Sequence, residues 1–127
     1  RQARGVDLPE GRVAATFLLA EHDGQVVGRV SIRHALTLFL LLEGGHIGYG
    51  VRPAWRRRGF ATSILQQSLL LTDELGIDRV LVTCDDDNVA SAAVIEAAGG
   101  TLEDVRTGHD GTAKRRYWID RRPAGAG

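Results

Sequence analysis

Arg56-Arg57-Arg58-Gly59-Phe60-Ala61-Thr62 stands between a short apolar segment and the strongest helical pattern in the chain. Beyond Gly59, residues Ala61, Ile64, Leu65, Leu69 and Leu75 fall on one stripe at 3.6-residue spacing and predict a helix over Gly59–Leu75. Gly76 follows, where a left-handed C-cap residue is wanted. The first turn of such a helix has backbone N–H groups without intrahelical acceptors and a partial positive charge, so it suits an anion. Gly59 lets a ligand come close to the backbone, Ala61 is nearly as small, and three arginines add charge for phosphate oxygens. On spacing alone the stretch is either a phosphate-binding turn or a solvated basic turn ahead of a helix. No Gly-Lys-Ser/Thr follows, so it is not a P-loop. One glycine stands where a dinucleotide fingerprint has three.

Working outward, His46–Val51 reads as a strand ended by Pro53, and the continuous apolar run Arg79–Cys84 reads as a buried parallel strand. A second helix is predicted over Asn88–Ala98, with Asp87 or Asn88 as N-cap and Gly99-Gly100 as its stop. Before this block, Val13–Glu21, the turn His22-Asp23-Gly24-Gln25 and Val26–His34 form a hairpin. Leu36–Glu43 is a short helix or apolar loop closed by Gly44-Gly45. After the block, Thr101–Thr107, the turn His109-Asp110-Gly111 and Thr112–Asp120 form a closing hairpin, and Pro123–Gly127 reads as a frayed tail. The order β-β-(short α)-β-α-β-α-β-β implies an α/β fold with a mixed sheet, as in α+β proteins, and helices on its faces.

At 127 residues the chain is one domain, 1–127, with an ordered core expected over about 13–120. Sixteen Lys+Arg balance sixteen Asp+Glu, which argues against nucleic acid as a partner. No apolar run reaches the roughly 18 residues that span a membrane. No leader with a small-residue cleavage site is visible, so the expected location is the cytoplasm. The single cysteine, Cys84, allows no internal disulfide and no cysteine zinc site. Asp85-Asp86-Asp87 reads as charge favouring the following helix N-terminus rather than as a metal site, and no metal is expected.

Arg56-x-x-Gly59-x-Ala61 resembles the Q/R-x-x-G-x-G/A motif of the GNAT superfamily of N-acetyltransferases. The supporting pieces come in that family's order: Gly48-Tyr49-Gly50-Val51-Arg52-Pro53 before the loop, then Val82-Thr83-Cys84, Asn88-Val89-Ala90-Ser91, Val94-Ile95-Glu96 and Gly99-Gly100. Gly44-Gly45-His46-Ile47-Gly48-Tyr49 also resembles a subgroup of uncharacterised acetyltransferases. The resemblance covers roughly residues 13–120 and implies the GNAT acyl-CoA N-acyltransferase fold, here without its N-terminal strand and helices. It implies acetyl-CoA as donor and co-substrate and an amine of a small molecule or peptide as acceptor. The alternative is a non-catalytic acyl-CoA-binding sensor or interaction domain.

The resemblance places the pyrophosphate on the N–H groups of Arg58 to Thr62, within the loop Arg56, Arg57, Arg58, Gly59, Phe60, Ala61 and Thr62. The pantetheine arm falls beside Tyr49, Gly50 and Val51, whose N–H groups are also candidates for holding an oxyanion. Along that strand His46, Gly48 and Gly50 share a face, and two glycines there mark either close approach by a ligand or a bulge. Asn88 is a coenzyme contact or a helix cap. Ser91 is a coenzyme contact, a proton donor to the leaving thiolate, or a first-turn residue that solvates the helix end. Many members carry a tyrosine acid late in this helix, four residues before the first glycine; here Ile95 stands there. An amine with a pKa near 10.4 must lose a proton before attack. Glu43 and His46, flanking the start of the central strand, are the candidate bases, and Ser91 and Tyr117 the candidate acids.

A bare edge at Val13–Glu21 and the apolar run Leu36–Leu42 both want a covering surface. The expectation is a symmetric homodimer or an upstream segment that covers them, against the alternative that Leu36–Leu42 caps the domain's own core.

Overall fold

β1 (Ala15–His22) and β2 (Gln25–Arg33) form the opening hairpin, turned at Asp23 (φ 52°) and Gly24 (φ 79°). Two successive positive φ angles give the twist that matches paired strands, which is why Asp-Gly sits there. The computed structural model describes residues 14–122, so Val13 of the predicted strand lies outside the described residues. The chain continues through a π-helical turn (Leu40–Gly44) into β3 (Ile47–Val51), then a 3-10 turn (Pro53–Trp55), α1 (Phe60–Glu74), β4 (Arg79–Asp85) and α2 (Val89–Ala97). A last hairpin, β5 (Gly100–Thr107) with β6 (Ala113–Asp120), closes it.

The strands make one six-stranded sheet in the order β1-β2-β3-β4-β6-β5. All neighbours are antiparallel except β3 and β4, which are joined through α1 and pair in parallel at a single position, Ile47 with Val82. Beyond that point the two strands part. β2 holds β3 from the other side over Gly28–Ile32.

Both helices pack on one face of the sheet. Ile64, Leu65 and Leu69 from α1 and Ala92 and Ile95 from α2 meet Val30, Ile32, Ile47, Val80, Val82, Tyr117 and Ile119 in one core. The predicted stripe of α1 is corrected at its end. Leu75 is exposed, and Ser68 and Thr72 complete the buried face instead. Their hydroxyls are satisfied locally: Ser68 donates to the Ile64 carbonyl at 2.7 Å and Thr72 to the Leu69 carbonyl at 2.9 Å. A buried polar group that bonds its own helix needs no tertiary partner. α1 ends as predicted: Gly76 (φ 77°) donates to the Asp73 carbonyl and Ile77 to the Thr72 carbonyl, the paired bonds of a Schellman cap.

The opposite face carries Phe17, Leu19, Arg29, Ser31 and Arg33 from β1 and β2, facing the sides of Gly48 and Gly50 on β3. Phe17 and Leu19 are exposed there. In the apolar run Leu36–Leu42, Leu40 is buried whereas Leu38 and Phe39 are exposed. No described helix is long and apolar enough to cross a membrane.

Candidate active site

The parting of β3 and β4 opens a groove of about 560 Å³ on the helix-covered face. Its walls are Tyr49, Gly50 and Val51 on β3, Gly59, Ala61 and Thr62 at the start of α1, and Asn88, Ser91 and Val94 on α2. Arg56, Arg57 and Trp55 form its outer rim.

The backbone leaves polar groups aimed into this space. In the β2–β3 ladder Arg52 donates to the Val27 carbonyl, and Arg33 donates to the carbonyl of His46. Alternation then turns the N–H groups of Tyr49 and Val51 away from β2, toward the gap that β4 has left. At the other end of the groove, α1 begins on Gly59 at φ 82° with no side-chain cap. Arg57 just before it also has a positive φ, 65°, a conformation unfavourable for a side chain with a Cβ. The N–H groups of Phe60, Ala61 and Thr62 therefore open the helix unanswered, and a Cβ added at Gly59 would meet nothing within 4 Å. An unfilled helix start beside open space fits an anion.

Aromatic packing holds this loop. Trp55 and Phe60 meet edge-on at 5.7 Å, and His22 from the first hairpin lies 5.1 Å from Phe60. The Arg58 guanidinium lies over the Trp55 ring at 5.1 Å. Arg58 and Phe60 thus pack beside the groove rather than line it, and Arg56 donates from Nε to the Val51 carbonyl at 3.1 Å.

Asn88 caps α2, its Oδ1 accepting from the Ser91 N–H at 3.0 Å, and it also lines the groove. Ser91 Oγ lies 3.0 Å from Tyr49 Oη, so a hydroxyl pair bridges the groove from α2 to β3. Burial raises the Tyr49 phenol above its usual range, which keeps it protonated. Cys84 is buried at the end of β4 on this same face, and burial raises its thiol too, as expected of a packing residue and not a nucleophile.

The remaining candidates lie apart from the groove. His46 is buried and takes a hydrogen bond at Nδ1 from the Leu81 N–H, 2.9 Å, while its own N–H donates to the Leu81 carbonyl. It ties the start of β3 to β4, and burial depresses its pKa, so it stays neutral. Tyr117 is 1% exposed and donates to Glu96 Oε2 at 2.6 Å, under α2. Glu43 sits in the turn before β3, anchored by Thr83 Oγ1 donating to its carbonyl at 2.6 Å. Because Val82 and Cys84 face the core, Thr83 and the turn bonded to it lie toward the face opposite the helices, the open face, which neither α1 nor α2 covers. Glu43 Oε1 accepts from both the backbone N–H and Nδ1 of His109, at 3.1 and 2.9 Å. The carboxylate raises the His109 pKa, and His109 lowers that of Glu43.

Sequence reasoning missed Trp55, whose only signal was an aromatic beside an arginine run. It also missed the Glu43–His109 pair, whose members are 66 positions apart. The acidic run Asp85-Asp86-Asp87 is tied to the last hairpin, Asp85 by Lys114 and Asp86 by Arg115.

Fold and groove together define a mixed-sheet α/β domain with a cleft between two parted parallel strands and an open helix start at its mouth. A family model described as the acetyltransferase (GNAT) domain matches residues 6–101, and the chain belongs to that family. An uncharacterized N-acetyltransferase of Bacillus subtilis (strain 168), YfmK, is 35% identical over 69 residues, 54% of this chain and 47% of that protein. The chain therefore spans about half the length of this curated relative. Among solved structures, an F149A mutant of the spermidine N-acetyltransferase SpeG from Vibrio cholerae is similar with a TM-score of 0.69 and 14% identity, covering 84% of this chain and 66% of that one. The microcin C7 self-immunity acetyltransferase MccE, solved in complex with acetyl-CoA and AMP, has a TM-score of 0.63 and 22% identity, covering 84% and 61%. These likenesses establish the fold.

Proposed function

We propose that this domain transfers an acetyl group from acetyl-CoA to a primary amine. The observation that carries the proposal is the groove itself: parted strands with inward N–H groups at one end and an uncapped helix start at the other. Polar backbone groups at both ends suit an extended ligand with a phosphate-bearing head. A structural relative solved with acetyl-CoA supports the same assignment.

The bound coenzyme would supply a thioester carbonyl open to attack by an amine. The N–H groups of Phe60, Ala61 and Thr62 hold the pyrophosphate, with Arg56 and Arg57 at the rim. The Tyr49 N–H, turned into the gap, holds the carbonyl oxygen as negative charge develops on it. As the C–N bond forms and the C–S bond breaks, Ser91 would pass a proton to the departing thiolate and recover one through Tyr49 from solvent, while Glu43 keeps the proton taken from the amine. The base is Glu43, on the face from which the amine enters, with His109 fixing its Oε1. His46 and Tyr117 keep the hydrogen bonds that tie strand to strand and strand to helix.

The test is release of free thiol from acetyl-CoA with a panel of primary amines, beside calorimetry of acetyl-CoA binding. Binding with amine-dependent thiol release is expected. Binding without turnover of any amine would support a coenzyme-binding module instead, and failure to bind would end both ideas.

A further inference from the structure

β3 is the wall between two sides of the sheet. Tyr49 and Val51 face the groove side, and Gly48 and Gly50 turn their missing side chains to the open side. Two arginines of β2 fill the space those glycines leave. A Cβ built on Gly48 would lie 3.2 Å from Arg33 Nη1, and one built on Gly50 would lie 3.7 Å from Arg29 Nε. Both guanidiniums thus lie against the strand whose far side lines the groove.

The described basic side chains fall into two groups, those that meet a carboxylate and those that do not. On the last hairpin Arg106, Lys114, Arg115 and Arg116 each meet a carboxylate, and after β6 Arg121 meets Asp73 and Arg122 meets Asp120. Among the described residues, Arg29 and Arg33 have none, like the loop arginines Arg52, Arg56, Arg57 and Arg58 and like Arg79; what sets the two apart is their place side by side against Gly48 and Gly50. Arg33 donates only to the Gly44 carbonyl, at 3.1 Å, and the charge that acts on it is that of Arg29. An oxyanion placed between the two guanidiniums would be attracted by both and would relieve their mutual repulsion. Around them lie the exposed apolar side chains of Phe17 and Leu19, which with Arg29, Ser31 and Arg33 line a shallow second cavity.

β4 pairs with β3 only at Ile47, so beyond that point the sheet between this face and the groove is a single strand, β3. An amine that enters from the open side passes Gly48 and Gly50 with Arg33 and Arg29 on its flank, and Arg33 is bonded to the turn that carries Glu43. From this juxtaposition we infer that the acceptor is a primary amine that also carries an oxyanion, a carboxylate or a phosphate, held by Arg29 and Arg33 on the open face of β3. A polycation is the class this face rejects, since each ammonium would approach two unpaired guanidiniums. The inference rests on the acetyl-transfer reading above and narrows its acceptor.

The experiment uses amines in matched pairs: phosphoethanolamine against ethanolamine, and β-alanine against its carboxamide, with spermidine as the polycation. The anionic member of each pair is expected to have the higher kcat/KM by about tenfold or more, the scale of one charge-assisted hydrogen bond. Arg29→Gln and Arg33→Gln should each erode that preference while acetyl-CoA affinity, measured by calorimetry, stays as in the unmutated chain. Arg29 is exposed, so its variant keeps the fold even if Arg33→Gln loosens the turn at Gly44. Equal rates within pairs, or a preference for spermidine, overturns the inference and leaves acetyl transfer standing. Side-chain Nε–H resonances of Arg29 and Arg33, followed during titration with phosphoethanolamine in the presence of coenzyme A, give a readout without turnover. Both should shift; unmoved resonances overturn the assignment whatever the assay shows. A chain that does not bind acetyl-CoA at all defeats the underlying reading first, and calorimetry alone detects that.

Discussion

Tyr49 Oη lies 3.0 Å from Ser91 Oγ, and this contact joins β3 to α2 across the cleft that separates them. It is the one place where the central strand and the second helix present hydroxyls to the same point of the groove. Ser91 is held there by the capping geometry of Asn88, and Tyr49 by packing against the core.

Removing the Ser91 hydroxyl should therefore lower turnover and leave coenzyme binding in place. Ser91→Ala is expected to reduce kcat by about 10²-fold, the low end for a positioned proton donor. Tyr49→Phe should act in the same direction, more weakly, because Ser91 remains. Steady-state kinetics with calorimetry separates the two effects. A Ser91→Ala enzyme with unchanged kcat would remove this residue from the proposed chemistry.

Tyr117 behaves differently under the same account. Its hydroxyl is committed to Glu96, and its ring is buried among core residues. Tyr117→Phe should cost about 1 kcal/mol of stability, one hydrogen bond to a carboxylate that still reaches water. Urea denaturation reads this loss, and kcat should not fall with it. A large fall in kcat at constant stability would make Tyr117 part of the reaction.

The Glu43–His109 pair predicts a pH window. His109 gains a partner and its pKa rises, so its share of the interaction is complete below its ordinary value near 6.5 and is lost as pH climbs through the raised value. Glu43 is shifted down, so its share is complete above the ordinary carboxylate value near 4.3 and is lost as pH falls through the lowered one. The pair is thus whole between those limits. NMR titration of His109 should show its pKa falling toward the ordinary value in Glu43→Gln. An unchanged titration would mean that the two side chains are not in contact in solution.

Much of this was legible in the chain. Gly59, Gly76 and Asn88 mark the ends of the two helices because each answers a backbone requirement that few residues meet. Asp23-Gly24 does the same for the hairpin. The groove loop was legible because its chemistry is local, a helix start with small residues behind basic ones. The side-chain pairs were not. Glu43 with His109, Tyr117 with Glu96, and Arg33 with Gly48 are set by sheet order and register, which bring together positions that no local pattern relates. Leu75 misled for a different reason: it continues the apolar stripe of α1, yet the helix ends at Glu74, and Thr72 takes the last buried place.

The central claim is that acetyl-CoA lies in this groove with its pyrophosphate on the start of α1. Calorimetry of acetyl-CoA against the unmutated chain and against Gly59→Asp tests it most directly. The φ of 82° and the empty space around Gly59 allow an aspartate to be carried at modest strain, since Asp tolerates left-handed backbone better than most residues. The folded variant then presents a carboxylate where the pyrophosphate should sit. The account predicts that its affinity drops by more than about tenfold, the loss of at least one charge-assisted contact. Equal affinity in the two proteins, with the variant shown to be folded by circular dichroism, would contradict it.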